Sequence, residues 1–163
     1  NDESVIVAPI IIKDGARQIL QRKLMLFHTG FVSDSRKVLT EQKAKTEKNS
    51  DLICKMAGFA EDLAHSLRGG STSTLGTFLH ENWELKKHLA SRMTNPTIDG
   101  YYAKAVKAGA TGGKILGSGG GGFFLFYCDE EHQNKVRKAL KNLRELPFRF
   151  ESQGSRIMHA SED

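Results

Sequence analysis

Apolar residues recur at helical spacing through the middle of the chain and bunch into strand-length runs on either side. Leu52, Ile53, Met56, Phe59, Ala60, Leu63 and Leu67 predict an amphipathic helix over Asp51–Leu67, stopped by Gly69-Gly70. The pattern repeats from Ser71 to about Leu89 through Leu75, Phe78, Leu79, Trp83 and Leu85 or Leu89. Upstream, Ser33 offers an N-cap to a polar, helix-prone segment ending near Thr46. Asn95-Pro96 breaks the chain, and Thr97 caps a shorter helix through Val106 that ends at Gly109. A last helix is predicted over Glu131–Leu143, with Val136, Ala139, Leu140 and Leu143 on its buried side.

The strand-length runs flank these helices. Ser4–Lys13 is rich in Val and Ile, with Pro9 marking an edge or a bulge. Lys23–His28 is a second run, closed by Thr29-Gly30, and Lys114–Leu116 precedes the aromatic run Phe123–Cys128. Pro147–Phe150 and Ser155–His159 read as closing strands around Gly154. Phe123, Leu125 and Tyr127 share one face of their strand, and Phe124, Phe126 and Cys128 share the other. Both faces are apolar, so this strand is expected to be buried on both sides. With the opening strands, the order helix, strand, loop, strand, helix, strand predicts an α+β fold: a ferredoxin-like split βαβ antiparallel sheet with additional helices.

Around Lys114–Leu116 and up to the aromatic run, seven of the eleven residues from Gly112 to Gly122 are glycine. Glycine lets backbone N–H groups turn outward and approach a ligand closely, and a row of such groups makes a concavity suited to phosphate. A flexible hairpin loop is the bland alternative; the tight apolar flanks favour a functional loop. Gly117, Gly119 and Gly122 satisfy G-x-G-x-x-G, but a strand follows where a dinucleotide fingerprint needs a helix. A P-loop fails because Ile115 follows Lys114 and no glycine stands five residues before Gly113. The protein-kinase layout fails for want of its lysine, His-Arg-Asp and Asp-Phe-Gly motifs.

Composition changes the picture little. At 163 residues the chain is long enough for one domain with a real core. Cys54 and Cys128 lack metal or redox spacing, and reduced, buried thiols of a cytosolic protein are expected. No stretch reaches the ~20 apolar residues of a membrane span. The net charge of +5 suits an anionic partner, either a phosphorylated metabolite or nucleic acid. Its late positive residues, with Lys135, Lys138 and Lys141 at three-residue steps, equally make a solvated helix face. The chain opens Asn1-Asp2-Glu3, which looks like processed or excised sequence.

Candidate chemistry is sparse. His80-Glu81 opens like a zinc-protease motif, but Glu84 stands where the second histidine belongs, so no metal site is expected. His65, His88 and His132 read as surface or capping residues. Lys114 is placed to reach a phosphate and equally to snorkel from a strand end. Ser118, the one hydroxyl within the glycine loop, is able to donate to a phosphate oxygen or to its own turn. Asn82, Trp83, Asn95 and Asp99 are polar or amphipathic groups near enough in sequence to reach a sugar; core for Trp83 and capping for Asn95 are the plainer roles.

The ordered segments Lys-Leu-Met-Leu-Phe-His-Thr-Gly (23–30), His-Glu-Asn-Trp-Glu-Leu-Lys (80–86), Thr-Asn-Pro-Thr-Ile-Asp (94–99) and Gly-Ala-Thr-Gly-Gly-Lys-Ile-Leu-Gly-Ser-Gly-Gly-Gly-Gly-Phe (109–123) resemble the C-terminal half of GHMP-type small-molecule kinases. Within that superfamily they are most similar to the D-glycero-D-manno-heptose 7-phosphate kinases, which phosphorylate the anomeric hydroxyl of their sugar. The resemblance covers nearly the whole chain. It implies a cytoplasmic, ATP-dependent carbohydrate kinase whose active site lies between two domains. Residues 1–163 would be the C-terminal domain: 1–30 linking strands from the N-terminal domain, 31–110 a helical part, and 111–160 the glycine motif and sheet.

By the same resemblance, Gly117, Ser118, Gly119, Gly120, Gly121 and Gly122 sit beside nucleotide phosphates and sugar, with Lys114 and Gly113 as further contributors. Ser118 stands where the family more usually has Ala. The nucleotide loop, the N-terminal substrate motif and the segment carrying the family's candidate base do not appear. The expectation is therefore a domain without catalytic residues or a metal site of its own. Its partners would be the N-terminal domain of the same kinase and a phosphorylated sugar, with no nucleic acid and no membrane. ATP and Mg²⁺ would be bound mainly by the N-terminal domain. A ferredoxin-like nucleic-acid-binding module and a sibling GHMP kinase for another small molecule, such as galactose or mevalonate, remain as alternatives.

Overall fold

The computed structural model describes residues 7, 9–12 and 15–151. Helix α1 (Ala16–Lys23) leads into strand β1 (Leu24–His28), followed by α2 (Ser35–Ala44), α3 (Ser50–Arg68), α4 (Leu75–Lys86) and α5 (Pro96–Lys107). Strands β2 (Ala110–Ile115) and β3 (Phe123–Cys128), helix α6 (Glu130–Ala139) and strand β4 (Arg144–Leu146) complete it. The sheet order is β2-β3-β1-β4, with every neighbouring pair antiparallel. β1 and β2 therefore run the same way with β3 inserted between them, which is the split βαβ of a ferredoxin-like α+β sheet.

The register places Leu26 between Leu125 and Leu146, and Met25 and Phe27 opposite Phe126 and Phe124. Met25, Phe27, Ile115, Phe124 and Phe126 make one apolar face, closed by Trp83, Ile98, Tyr102, Val136 and Leu140 from the helices. Burial of side chains this size contributes about 2–3 kcal/mol each, so this layer carries most of the fold. On the other face, Tyr127 packs with Leu20 and Leu75, joined by Leu24, Leu63 and Leu79. Burial of β3 on both sides thus holds at Tyr127 and gives way at Phe123, which is 37% exposed against His28.

Several expectations are corrected. Residues 9–12 are irregular and the rest of Ser4–Lys13 lies outside the described residues, apart from Val7. The opening residues 1–30 are not strands throughout, because Ala16 and Leu20, four apart, bury one side of a helix. Asp34 caps α2 by accepting from the Lys37 N–H, leaving Ser33 free for another contact. Asn95 caps α5, its side chain accepting from the N–H groups of Thr97 and Ile98, with Pro96 at the first helical position.

Strand β2 starts at Ala110, so Gly112 and Gly113 belong to the sheet rather than to the loop. Helix α6 stops at Ala139 instead of Leu143. The closing strand is Arg144–Leu146; Pro147 offers no N–H to continue it, and the following backbone is held by Gln21, which donates to the Phe148 carbonyl and accepts from the Phe150 N–H. Ser155–His159 lies outside the described residues. Cys128 is buried, but Cys54 is exposed on the outer side of α3, and both are free thiols.

Helix α4 runs alongside the edge strand β2. Gly76 meets Thr111 and Gly112, Asn82 meets Lys114, and Lys86 reaches Gly117. This alignment covers an otherwise open sheet edge and carries side chains of α4 to the foot of the glycine loop.

Candidate functional site

The β2–β3 connection is a pinned structure rather than a free hairpin. The Gly120 N–H donates to the Met93 carbonyl at 2.7 Å, and the Gly122 N–H to the Phe31 carbonyl at 2.9 Å. In return, the Thr29 N–H and hydroxyl both donate to the Gly122 carbonyl, at 2.9 and 3.0 Å. The loop is wedged between two segments, 29–35 after β1 and 91–95 before α5. Gly120 has φ +74, and a Cβ there would stand 2.6 Å from the Arg92 carbonyl oxygen. Its place thus demands both a left-handed backbone and no side chain.

Two of the loop's N–H groups are spent within the protein, and those of Gly117 and Ser118 donate to no acceptor among the described residues. Ser118 belongs to a hydroxyl cluster, with its Oγ 3.2 Å from Ser33 Oγ and 2.9 Å from Ser35 Oγ. Ser33 also donates to the Gly119 carbonyl. The 91–93 backbone that holds Gly120 is itself fixed by Glu41. Its carboxylate accepts from Lys45 at 2.5 Å and from the Ser91 N–H and hydroxyl at 2.8 Å. These bonds, Lys45 foremost, pull the Glu41 carboxyl down to about 2.

Lys86 lies under the loop and is only 7% exposed. Its ammonium donates to the Gly117 carbonyl at 2.6 Å, drawing that oxygen inward. Lys114 donates to Asn82 Oδ1 at 2.8 Å. Burial, aided by the neighbouring Lys114 charge, lowers the Lys86 ammonium to about 8, and burial also lowers Lys114. Neither lysine has a carboxylate partner among the described residues.

The depressed Lys86 value has a measurable sign. Between pH 8 and its ordinary 10.5 the unfolded chain binds a proton at Lys86 that the folded chain has released, so stability from this group rises with pH across that window. Wild type minus Lys86→Met melting temperature is expected to shift in favour of wild type from pH 8 to 10.5. A difference that stays flat or falls would show that Lys86 is not desolvated as described.

Other candidates separate from the loop. His80 stacks on Tyr102 with Nδ1 2.7 Å from its hydroxyl; no group of three His, Cys, Asp or Glu side chains among the described residues is placed to hold a metal. Trp83 is fully buried and Asn95 is a cap. Asp99 accepts from the Thr94 hydroxyl at 2.7 Å. Gly113 is in β2, packed on Phe126. His65 and His88 are exposed and His132 is half-buried, while Lys135, Lys138 and Lys141 form a solvated row.

Sequence reasoning missed Lys86, Ser33 and Ser35 as parts of the site. One signal was present for Lys86: it follows buried Trp83 by three residues, on the helix side that faces inward.

A family model of the C-terminal part of the GHMP kinases matches residues 60–145. This chain belongs to the GHMP kinase family. The match spans α4, α5, β2, the glycine loop, β3 and α6 entire, so the pinned loop lies inside the family's shared portion. Among curated GHMP kinases, the chain is 27% identical over 143 residues to the D-glycero-alpha-D-manno-heptose 7-phosphate kinase of Campylobacter jejuni, covering 86% of this chain and 42% of that protein. The chain thus spans less than half the length of that relative.

Solved structures share the fold, two of them as follows. One is a D-glycero-D-manno-heptose 1-phosphate kinase from Bacteriodes thetaiotaomicron, with a TM-score of 0.63 and 24% identity, covering 91% of this chain and 39% of that one. The other is the Methanococcus jannaschii mevalonate kinase, with a TM-score of 0.67 and 22% identity, covering 83% and 42%. Among the described residues, no helix is long and apolar enough to cross a membrane.

Proposed function

We propose that residues 1–163 supply the C-terminal domain of an ATP-dependent sugar kinase that phosphorylates the anomeric hydroxyl of D-glycero-D-manno-heptose 7-phosphate. The observation that carries this reading is the pinned glycine loop, with N–H groups of Gly117 and Ser118 that find no acceptor among the described residues, in a chain similar along 86% of its length to a heptose 7-phosphate kinase. Phosphoryl transfer asks little covalent chemistry of the protein and much positioning. A rigid loop whose backbone donors need no reorganisation serves that purpose.

In this reading the loop shapes the region between sugar and triphosphate, while Ser118, Ser33 and Ser35 offer hydroxyls to a polyhydroxylated substrate. The triphosphate, Mg²⁺ and the group that orients the attacking hydroxyl are handled mainly by an N-terminal domain of the same kinase. Mg²⁺ would supply charge neutralisation on the phosphates; the described residues hold no acidic set suited to it.

Calorimetric titration of this chain and of the full-length kinase with Mg-ATP and with heptose 7-phosphate tests the proposal. The expected result is tight binding of both by the full-length protein and none by the chain alone. A full-length protein that binds ATP but ignores heptose 7-phosphate would overturn the substrate; clear nucleotide binding by the chain alone would overturn the division between domains.

A further inference from the structure

We propose that Lys86 and Lys114 together form a cationic seat for one phosphate group of a bound ligand, at the foot of the glycine loop. The alignment of α4 along β2 sets the two lysines on one seam: Lys114 reaches back to Asn82, while Lys86, one helical turn after Asn82, reaches Gly117 just beyond Lys114. An ammonium has three N–H donors. Each lysine spends one, Lys86 on the Gly117 carbonyl and Lys114 on Asn82 Oδ1, and both of those acceptors are neutral. Four N–H donors and two positive charges, Lys86 buried and Lys114 half-buried, therefore stand with no carboxylate within ion-pair distance among the described residues.

Buried charges are ordinarily paired, because desolvation without a partner is costly. Two like charges held together add repulsion, and nothing in the fold repays it. A single carboxylate would cancel one of the two charges. A phosphate group carries close to two negative charges and has acceptor oxygens enough for all four donors. The unspent Gly117 and Ser118 N–H groups lie on the same loop that Lys86 holds, extending the donor set beyond the ammoniums.

The inference rests on the proposed kinase in one respect only, that its ligands are phosphorylated. Phosphoryl oxygens are the shared chemistry, and their source is either the nucleotide or the sugar phosphate. The test is calorimetric titration of the full-length kinase and its Lys114→Met variant with inorganic pyrophosphate, ATP and heptose 7-phosphate. Lys114 is the informative position because Lys86 also holds the loop. Lys114→Met is expected to bind pyrophosphate at least tenfold more weakly and to melt at or above the wild-type temperature, since a half-buried charge without a carboxylate partner has been removed. Lys114→Arg should recover most of the affinity.

A matching tenfold loss for heptose 7-phosphate, with ATP affected less than twofold, assigns the seat to the sugar; the reverse assigns it to the nucleotide. Equal pyrophosphate affinity in wild type and Lys114→Met overturns the proposal. So does a large fall in melting temperature, which would make Lys114 a structural cation. Should heptose 7-phosphate fail to bind wild type, the substrate reading fails while the pyrophosphate comparison still decides the seat.

Discussion

Gly120→Val is expected to lower kcat/KM of the full-length kinase on the order of 100-fold while leaving the chain folded. The backbone at Gly120 has φ +74, where a β-branched side chain is strongly disfavoured. A Cβ there would also stand 2.6 Å from the Arg92 carbonyl oxygen, which is backbone and cannot swing aside. The Gly120 N–H bond to Met93 must then lengthen or break, and the loop moves off the 91–95 segment. Displacement of a positioning element by about 1 Å is enough to cost roughly 100-fold, and loss of a single preorganised donor costs a similar factor. The core lies elsewhere, in Phe124, Phe126 and their partners, so circular dichroism should remain native. Steady-state kinetics within threefold of wild type would show that the pinned geometry of the loop is irrelevant to turnover.

Gly112→Ala is expected to have the largest effect on stability. Gly112 sits within β2, and a Cβ there would overlap the Gly76 carbonyl oxygen and press on the His80 side chain. The neighbouring contact is also close, since a Cβ on Gly76 would lie 2.6 Å from that of Thr111. Backbone therefore packs on backbone where α4 meets the sheet. Overpacking such a contact costs on the order of 3 kcal/mol, or roughly 6–12 °C for a domain of this size. The displaced α4 also carries Lys86 and Asn82, so activity at permissive temperature should fall as well. A thermal melt of Gly112→Ala superimposable on wild type would contradict the observed approach of α4 to β2.

Much of this architecture was legible in the sequence because local pattern and tertiary role agree. The periods in α3 and α4, the break at Asn95-Pro96 and the aromatic run of β3 each announce one element. The misreadings have a common cause. Gly112 and Gly113 look like the start of a loop, because nothing nearby says that Gly76 and His80 of α4 leave no room for a side chain at Gly112, or that Phe126 of β3 leaves none at Gly113. Ser33 is a plausible cap until Asp34 takes that place and frees it for Gly119. Lys86 passes unnoticed, because lysines usually face solvent and only its position one turn after Trp83 hints otherwise. Helix α1 buries just Ala16 and Leu20, too few positions to set a period. At the site, the glycines themselves were plain from composition, whereas their anchors, Phe31 and Met93, come from segments that only the fold brings together.

The insertion of four helices between β1 and its neighbours bears on how the protein is made. Leu24 pairs with Tyr127, and Leu26 with Leu146, so β1 waits for strands made long after it. During synthesis β1 leaves the ribosome with both hydrogen-bonding edges open, and α2 to α5 follow before any partner strand exists. Pairings this distant in sequence slow folding, because the chain between them must be closed before contacts repay the loss of freedom. The nascent chain thus carries an unpaired apolar strand, Leu-Met-Leu-Phe-His, until β3 has been made, which makes β1 a segment where a folding chaperone has much to shield.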